Sequence, residues 1–301
     1  MRSHPILSLT NHTNAPLPCK AQAPEINVSY KTILVHLQLG QPHAALLHLA
    51  ARLGERFDAR LVGVAACEPL TTLIANASAN GALVQDELEQ LRCEMAMAEH
   101  AFHEALGGRT TGVAWHASSC GVSIADFVAQ VARGADLILT DSATGGHGDA
   151  RRHLQMSALL LRAGRPVLIA PAPAGTLLFA HALLAWDDSR ECRRAVGDAL
   201  PLLREAGRVS VVQVAPGDDH AAILGQLQDV VAWLHSHGVG AQPVLLPASG
   251  SPPQLGTIAL DHTCDLVVAG AYGHSRLREW ALGGVTRALL TQRQVAVMFS
   301  H

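Results

Sequence analysis

Short apolar runs alternate along the chain with stretches in which apolar residues recur every three or four positions. Lys31 to Leu37 (KTILVHL) reads as a first strand. Ala44 to Phe57 then puts Leu46, Leu49, Leu53 and Phe57 at helical spacing, which predicts an amphipathic helix. Leu61 to Ala65 is a second strand, followed by a long helix over Ala82 to Leu106 with Leu88, Leu91, Met95, Ala98, Phe102 and Ala105 as its apolar stripe. Val113 to His116 is a third strand. Ser123 can cap a helix carrying Ile124, Phe127, Val128 and Val131. Asp136 to Leu139 and Pro166 to Ile169 read as two more strands, and Ala170 to Gly175 (APAPAG) as a linker.

The pattern then restarts. Leu183 to Trp186 is a strand ending in Asp187-Asp188-Ser189, and Arg190 to Glu205 is a helix burying Cys192, Val196, Ala199 and Leu203. Pro201 lies inside that helix, where a proline costs about 3 kcal/mol, so a kink or early end is expected. Val209 to Val214 is a strand, Ile223, Leu227, Val230 and Leu234 mark a helix, and Pro243 to Leu246 is a strand opened by its proline. Leu255, Ile258 and Ala259 mark a further helix. Leu266 to Ala269 and Val295 to Phe299 are the last two strands, with an apolar segment at Ala288 to Leu290 between them.

The two halves align. Asp136-Leu137-Ile138-Leu139 matches Asp265-Leu266-Val267-Val268, Val167-Leu168-Ile169 matches Val297-Met298-Phe299, and Val35-His36 is set against Ala185-Trp186, which puts Leu37 where the second half has Asp187. Alternating strands and helices predict an α/β fold with parallel strands and right-handed crossovers. The chain divides into a loose or disordered arm at residues 1–28, a first domain at 29–172 and a second at 180–301.

Composition narrows the field. At 301 residues, with 49% hydrophobic and 16% charged side chains, the chain can build two cores. Its net charge of −3 comes with no basic stripe, which disfavours a nucleic-acid partner. No run approaches the ~18 apolar residues of a membrane span, and the N-terminal Ile6-Leu7-Ser8-Leu9 is weak for a secretory signal. Six dispersed cysteines without a C-x-x-C pair fit buried thiols in a reducing cytoplasm. The 17 histidines include His235-x-His237 and the pair His147 and His153, but neither has a cysteine or carboxylate at ligand spacing, so surface histidines are expected and no metal. No P-loop, G-x-S-x-G or other catalytic set is present, and no catalytic residue is assigned.

The chemistry concentrates in Asp265 to Phe299. Gly270 and Gly273 follow a buried strand, and nine residues later comes Gly283-Gly284-Val285-Thr286 at a helix start. Glycines there let backbone approach a ligand, and the helix opening offers unpaired N–H groups and the positive dipole end. Thr286 adds a hydroxyl, and His274, Arg276 and Arg287 add positive charge. Phosphate suits that set; a tight strand-to-helix turn with no ligand is the bland alternative.

This stretch resembles the nucleotide signature of the universal stress proteins, glycine, two residues, glycine, nine residues, glycine, then serine or threonine. Gly270, Gly273 and Gly283 fit it, while Gly284 stands at the hydroxyl position. The resemblance runs from about residue 30 to the end. It implies two tandem doubly wound domains of the Rossmann-like, adenine nucleotide alpha hydrolase-like class. Each would have five parallel strands ordered 3-2-1-4-5, and the two would pack like a dimer within one chain. On this reading one continuous sheet of ten strands counts against two dyad-related domains. The resemblance further implies an adenine nucleotide, ATP with or without Mg2+, held by Ala185, Trp186, Asp187, Val214, Ala269, Gly270, Gly273, His274, Arg276, Gly283, Gly284, Val285 and Thr286. Asp187 would contact adenine or ribose, with a helix cap or Asx turn as its alternative role. Val214 would contact the base through its backbone. Asp188 replaces a usual glycine, and aspartate tolerates the left-handed region better than most residues.

The first half differs. Asp141 and Thr144 match Gly270 and Gly273, and His153-Leu154-Gln155-Met156 stands around the Gly283 position. A carboxylate there repels phosphate, so the first half is expected to be degenerate for nucleotide. The implied function is a cytoplasmic ATP-binding sensor or regulator of the bacterial stress response, able to form a homodimer. A nucleotide-free scaffold of the same fold and a slow ATPase are the rivals.

Overall fold

The computed structural model describes residues 29–68, 77–109, 112–119, 122–141, 150–171, 179–215, 220–247, 258–260, 263–272, 284–291 and 294–301. The N-terminal arm, most of the linker, and His147, Thr144 and Leu255 lie outside them. The first half runs β1 (Thr32–His36), α1 (Ala44–Phe57), β2 (Arg60–Ala66), α2 (Ala77–Leu106), β3 (Val113–Ser118), α3 (Ile124–Val131), β4 (Leu137–Asp141), α4 (Met156–Arg162) and β5 (Val167–Ala170). The second runs β6 (His181–Ala185), α5 (Arg190–Glu205), β7 (Arg208–Ala215), α6 (His220–Ser236), β8 (Ala241–Pro247), β9 (Leu266–Gly270), α7 (Gly284–Thr291) and β10 (Ala296–Ser300).

Local chemistry accounts for the element ends. Ser123 Oγ accepts the Asp126 N–H at 3.2 Å and caps α3. Asp58, with φ 48°, turns the chain out of α1. Pro201 is buried within α5, and the helix does not stop there; Leu202 and Leu203 carry its last turn into the core. Pro243 sits third in β8 rather than first, tolerated because β8 is an edge strand that, among the described residues, pairs only with β7.

The ten strands form a single sheet in the order β3-β2-β1-β4-β5-β10-β9-β6-β7-β8. A continuous sheet was expected to count against two related halves, and that inference fails. Strands β5 and β10 pair antiparallel, which is the geometry a two-fold axis at the join produces, while every other pairing is parallel. Read outward from the join, each half has the same order, 5-4-1-2-3. The segments that align in the repeat meet each other there: Val167 with Phe299, Leu168 with Met298, Ile169 with Val297. Leu168, Met298 and Phe299 are fully buried, and burying each such side chain contributes roughly 1.5–3 kcal/mol. Tyr30 also crosses between halves, its hydroxyl donating to the Asp198 carbonyl at 2.7 Å, and Arg56 pairs with Glu205.

Helices cover both faces. α1, α2, α5 and α6 bury their apolar stripes on one face, α3, α4 and α7 on the other. Both halves anchor their first strand the same way: Asp136 accepts the backbone N–H groups of Lys31 and Thr32, and Asp265 those of Ala180 and His181. No helix among the described residues is long and apolar enough to cross a membrane.

The cysteine and histidine expectations need amendment. Cys67, Cys192 and Cys264 are buried, but Cys93 is exposed on α2. Of the histidines expected at the surface, His235 is exposed and His153 and His237 are half-buried; His36 and His181, which that expectation did not name, are buried. No group of three metal-ligating side chains occurs among the described residues.

Candidate functional site at the end of β6 and β9

In the second half the chain leaves β6 toward β7 and β8 on one side, while β9 and β10 lie on the other. The crevice between the C-terminal ends of β6 and β9 is the place where open α/β sheets take ligands. Ala185 pairs with Ala269 across it, and Val214 lies one strand further out at the end of β7. Of the predicted set, the structure therefore gathers Ala185, Trp186, Asp187, Val214, Ala269 and Gly270 at one sheet end, and Gly284, Val285 and Thr286 in the first turn of α7. Gly273, His274, Arg276 and Gly283 lie outside the described residues.

The loop after β6 folds by its own short polar side chains. Asp187 is exposed, and its Oδ1 accepts the Ser189 N–H at 3.0 Å, the Asx turn that was its alternative role. Asp188 takes φ 57°, the left-handed conformation its place demanded, and its carboxylate accepts two N–H groups of Arg193. Ser189 Oγ then caps α5 by accepting the Cys192 N–H at 3.1 Å. Burial, with a smaller contribution from the Asp187 carboxylate, pushes the Cys192 thiol up to about 11, so it is an inert thiol.

Gly270 has a reason that the sequence reading did not supply. A Cβ there would lie 2.6 Å from the Cys192 nitrogen and 2.7 Å from the Glu191 carbonyl carbon. The glycine is needed for the first turn of α5 to press on β9, with or without a ligand. Thr286 is buried rather than open.

Three side chains at this end escaped the sequence reading. Tyr272, in the glycine turn, has φ 62° and a buried hydroxyl without a hydrogen-bond partner among the described residues. Trp186 was assigned, but among the described residues its buried Nε1 also lacks a partner, as does Oε1 of Gln213. Trp186 follows the β6 position that faces Val212, and its backbone N–H donates to the Val212 carbonyl. By strand alternation Gln213 then lies beside Trp186 on the same face. Glu191, in the first turn of α5, is a buried carboxylate paired with Arg190. Only an aromatic between two glycines, in the case of Tyr272, offered a sequence signal.

The first half builds its end differently, and the strand registers correct the alignment by one residue. Thr32 faces Arg60 as His181 faces Arg208, and Ile33 faces Leu137 as Ala182 faces Leu266. The counterpart of Asp187 is therefore Gln38, not Leu37; Leu37 matches Trp186 and is likewise buried. Asp141 does match Gly270, and burial pushes its carboxyl up to about 6. His36 Nδ1 lies 3.0 Å from Thr140 Oγ1, and burial pushes the imidazole down to about 4.

No protein-family model and no curated protein matches the chain. Among solved structures it is similar to a universal stress protein from Archaeoglobus fulgidus DSM 4304, with a TM-score of 0.59 and 14% identity over 89% of this chain and 95% of that one. It is also similar to a functionally unknown protein from Pseudomonas aeruginosa PAO1, with a TM-score of 0.52 and 14% identity over 90% of this chain and 92% of that one. The chain has the fold of the universal stress proteins, in a tandem arrangement of two five-stranded halves.

Proposed function

We propose that the protein is a regulatory or sensor protein of the universal stress type that binds one ATP in its second half, at the crevice between β6 and β9. The observation that carries this reading is the contrast between the two crevices. In the second half an exposed carboxylate, Asp187, follows β6, and α7, the helix between β9 and β10, opens with Gly284. In the first half an amide, Gln38, replaces the carboxylate and Asp141 replaces the glycine. Asp187 accepts from the base amine or the ribose, and the α7 N-terminus with the preceding glycines takes the phosphates. Mg2+, when present, is carried by the phosphates. The domains are residues 29–172 and 180–301, the site of action is the cytoplasm, and a homodimer is the expected assembly.

The direct test is Asp187→Asn. It retains an oxygen for the Ser189 N–H and removes the charge. ATP affinity should fall about tenfold or more, since a hydrogen bond to a charged group contributes roughly 1.5–3 kcal/mol. Circular dichroism should be unchanged. Equal affinity would remove Asp187 from the site.

A nucleotide-free scaffold is the second reading. It is favoured by the Asx turn of Asp187 and the packing role of Gly270, both of which are satisfied without a ligand. Purified protein that releases no nucleotide on denaturation and shows no heat of ATP binding would establish it.

A further inference from the structure

Repeat symmetry sets four positions of the first half against the proposed ligand path of the second. Gln38 matches Asp187, Ala66 matches Val214, Asp141 matches Gly270, and His153 stands at the Gly283 position. The turn formed by Ala150–Arg152 and His153 reaches the segments that follow β1 and β2, through Gln38 and Glu68. Gln38 Nε2 is 2.9 Å from His153 Nδ1, which ties the two lips together. The Arg151 carbonyl accepts the Glu68 N–H at 2.9 Å, two residues beyond the counterpart of Val214. The turn is then fastened from outside: Arg151 pairs with Glu87 at 2.9 Å and Arg152 with Glu94 at 2.8 Å, both carboxylates being on α2. Arg152 and Glu94 each keep only 12% of their side-chain surface exposed, so the pair is largely withdrawn from water and weakly screened.

We propose that the turn at residues 150–153 is an intramolecular plug: it occupies the first half's crevice where a ligand would lie and is locked there by the arginine–glutamate pairs to α2. A backbone carbonyl takes an N–H at the end of β2, and a histidine bridges the lips, so the crevice is satisfied by the chain itself. The longer second helix of the first half has a role in this scheme, because it supplies both carboxylates. The first half is thereby held closed and ligand-free. This inference concerns the first half alone and stands or falls independently of nucleotide binding in the second.

The test is hydrogen exchange of the Glu68 amide in the full chain. In the Glu87→Gln, Glu94→Gln double variant the shapes are retained and the charges removed. The Glu68 amide should exchange about tenfold faster or more, the change that ~1.4 kcal/mol of lost plug stability makes. The Trp186 amide, which donates to Val212 in the second half, is the control and should keep its rate. Unchanged exchange at Glu68, or equal acceleration at both amides, would overturn the plug. Should the double variant fail to fold, Gln38→Met removes the contact between the lips alone. Faster exchange at Glu68 with Trp186 unchanged would support the plug, and no change would overturn it.

Discussion

Replacing Gly270 by alanine separates packing from ligand binding at the second-half crevice. An added Cβ would sit 2.6 Å from the Cys192 nitrogen, 2.7 Å from the Glu191 carbonyl carbon and 2.9 Å from Glu191 Cβ. The first two are helix backbone, so no side chain can swing aside; the first turn of α5 must move by roughly 1 Å to reach ordinary van der Waals contact at ~3.5–4 Å. Overpacking of this kind costs about 1–3 kcal/mol, and a clash with backbone places Gly270→Ala at the upper end, about 3 kcal/mol. Gly225→Ala in α6 is the control. Nothing lies within 4 Å of its Cβ, so the variant should gain roughly 0.5–1 kcal/mol from helix propensity. Urea unfolding followed by circular dichroism reads both. A loss under 0.5 kcal/mol for Gly270→Ala would refute the packing argument and return that glycine to the ligand.

Other outcomes follow from the same structure. The folded His36 has its pKa at about 4 against 6.5 for the free side chain, so between those values the unfolded chain binds the extra proton. His36 therefore removes stability as pH falls from about 6.5 to 4, by roughly 3 kcal/mol in all, and His36→Gln should flatten that acid limb in denaturant titrations at pH 7, 5.5 and 4. Asp141 acts with the opposite sign. Its folded pKa of about 6 lies above 3.8, so its burial penalty is relieved as pH falls, and Asp141→Asn should stabilise the protein at pH 7 more than at pH 4. Tyr30→Phe, which deletes the hydroxyl that bonds Asp198 across the halves, should cost about 1 kcal/mol in the same unfolding assay.

Much of the fold was legible because buried parallel strands read as continuous apolar runs and surface helices keep a 3.6-residue period. Helices α1 and α5 have the bounds the pattern gave. The join was not legible. Val167–Ile169 and Val297–Phe299 announced themselves as matching strands, but nothing in two apolar runs says whether they end separate sheets or pair with each other. The one-residue error at Leu37 arose for a related reason: apolar residues fill both faces of β1 and β6, so a slip leaves the pattern looking equally good, and only the hydrogen-bonded register of Thr32 with Arg60 fixes it. At the site, the sequence pointed to Asp187 and Gly270. It could not show that Asp187 also closes an Asx turn or that Gly270 makes room for α5, because those roles depend on contacts with Ser189 and Cys192 that only the folded chain supplies. His153 and Gln38 lie 115 positions apart, and no local pattern could have joined them.

The central claim is one nucleotide per chain, bound in the second half. Titration calorimetry of the purified full chain with ATP tests it most directly. The account predicts a stoichiometry near one, abolished by Gly273→Val, because a branched side chain would keep the backbone from approaching a phosphate as closely as glycine allows. Two equivalent sites per chain, no binding at all, or full binding by Gly273→Val would contradict it.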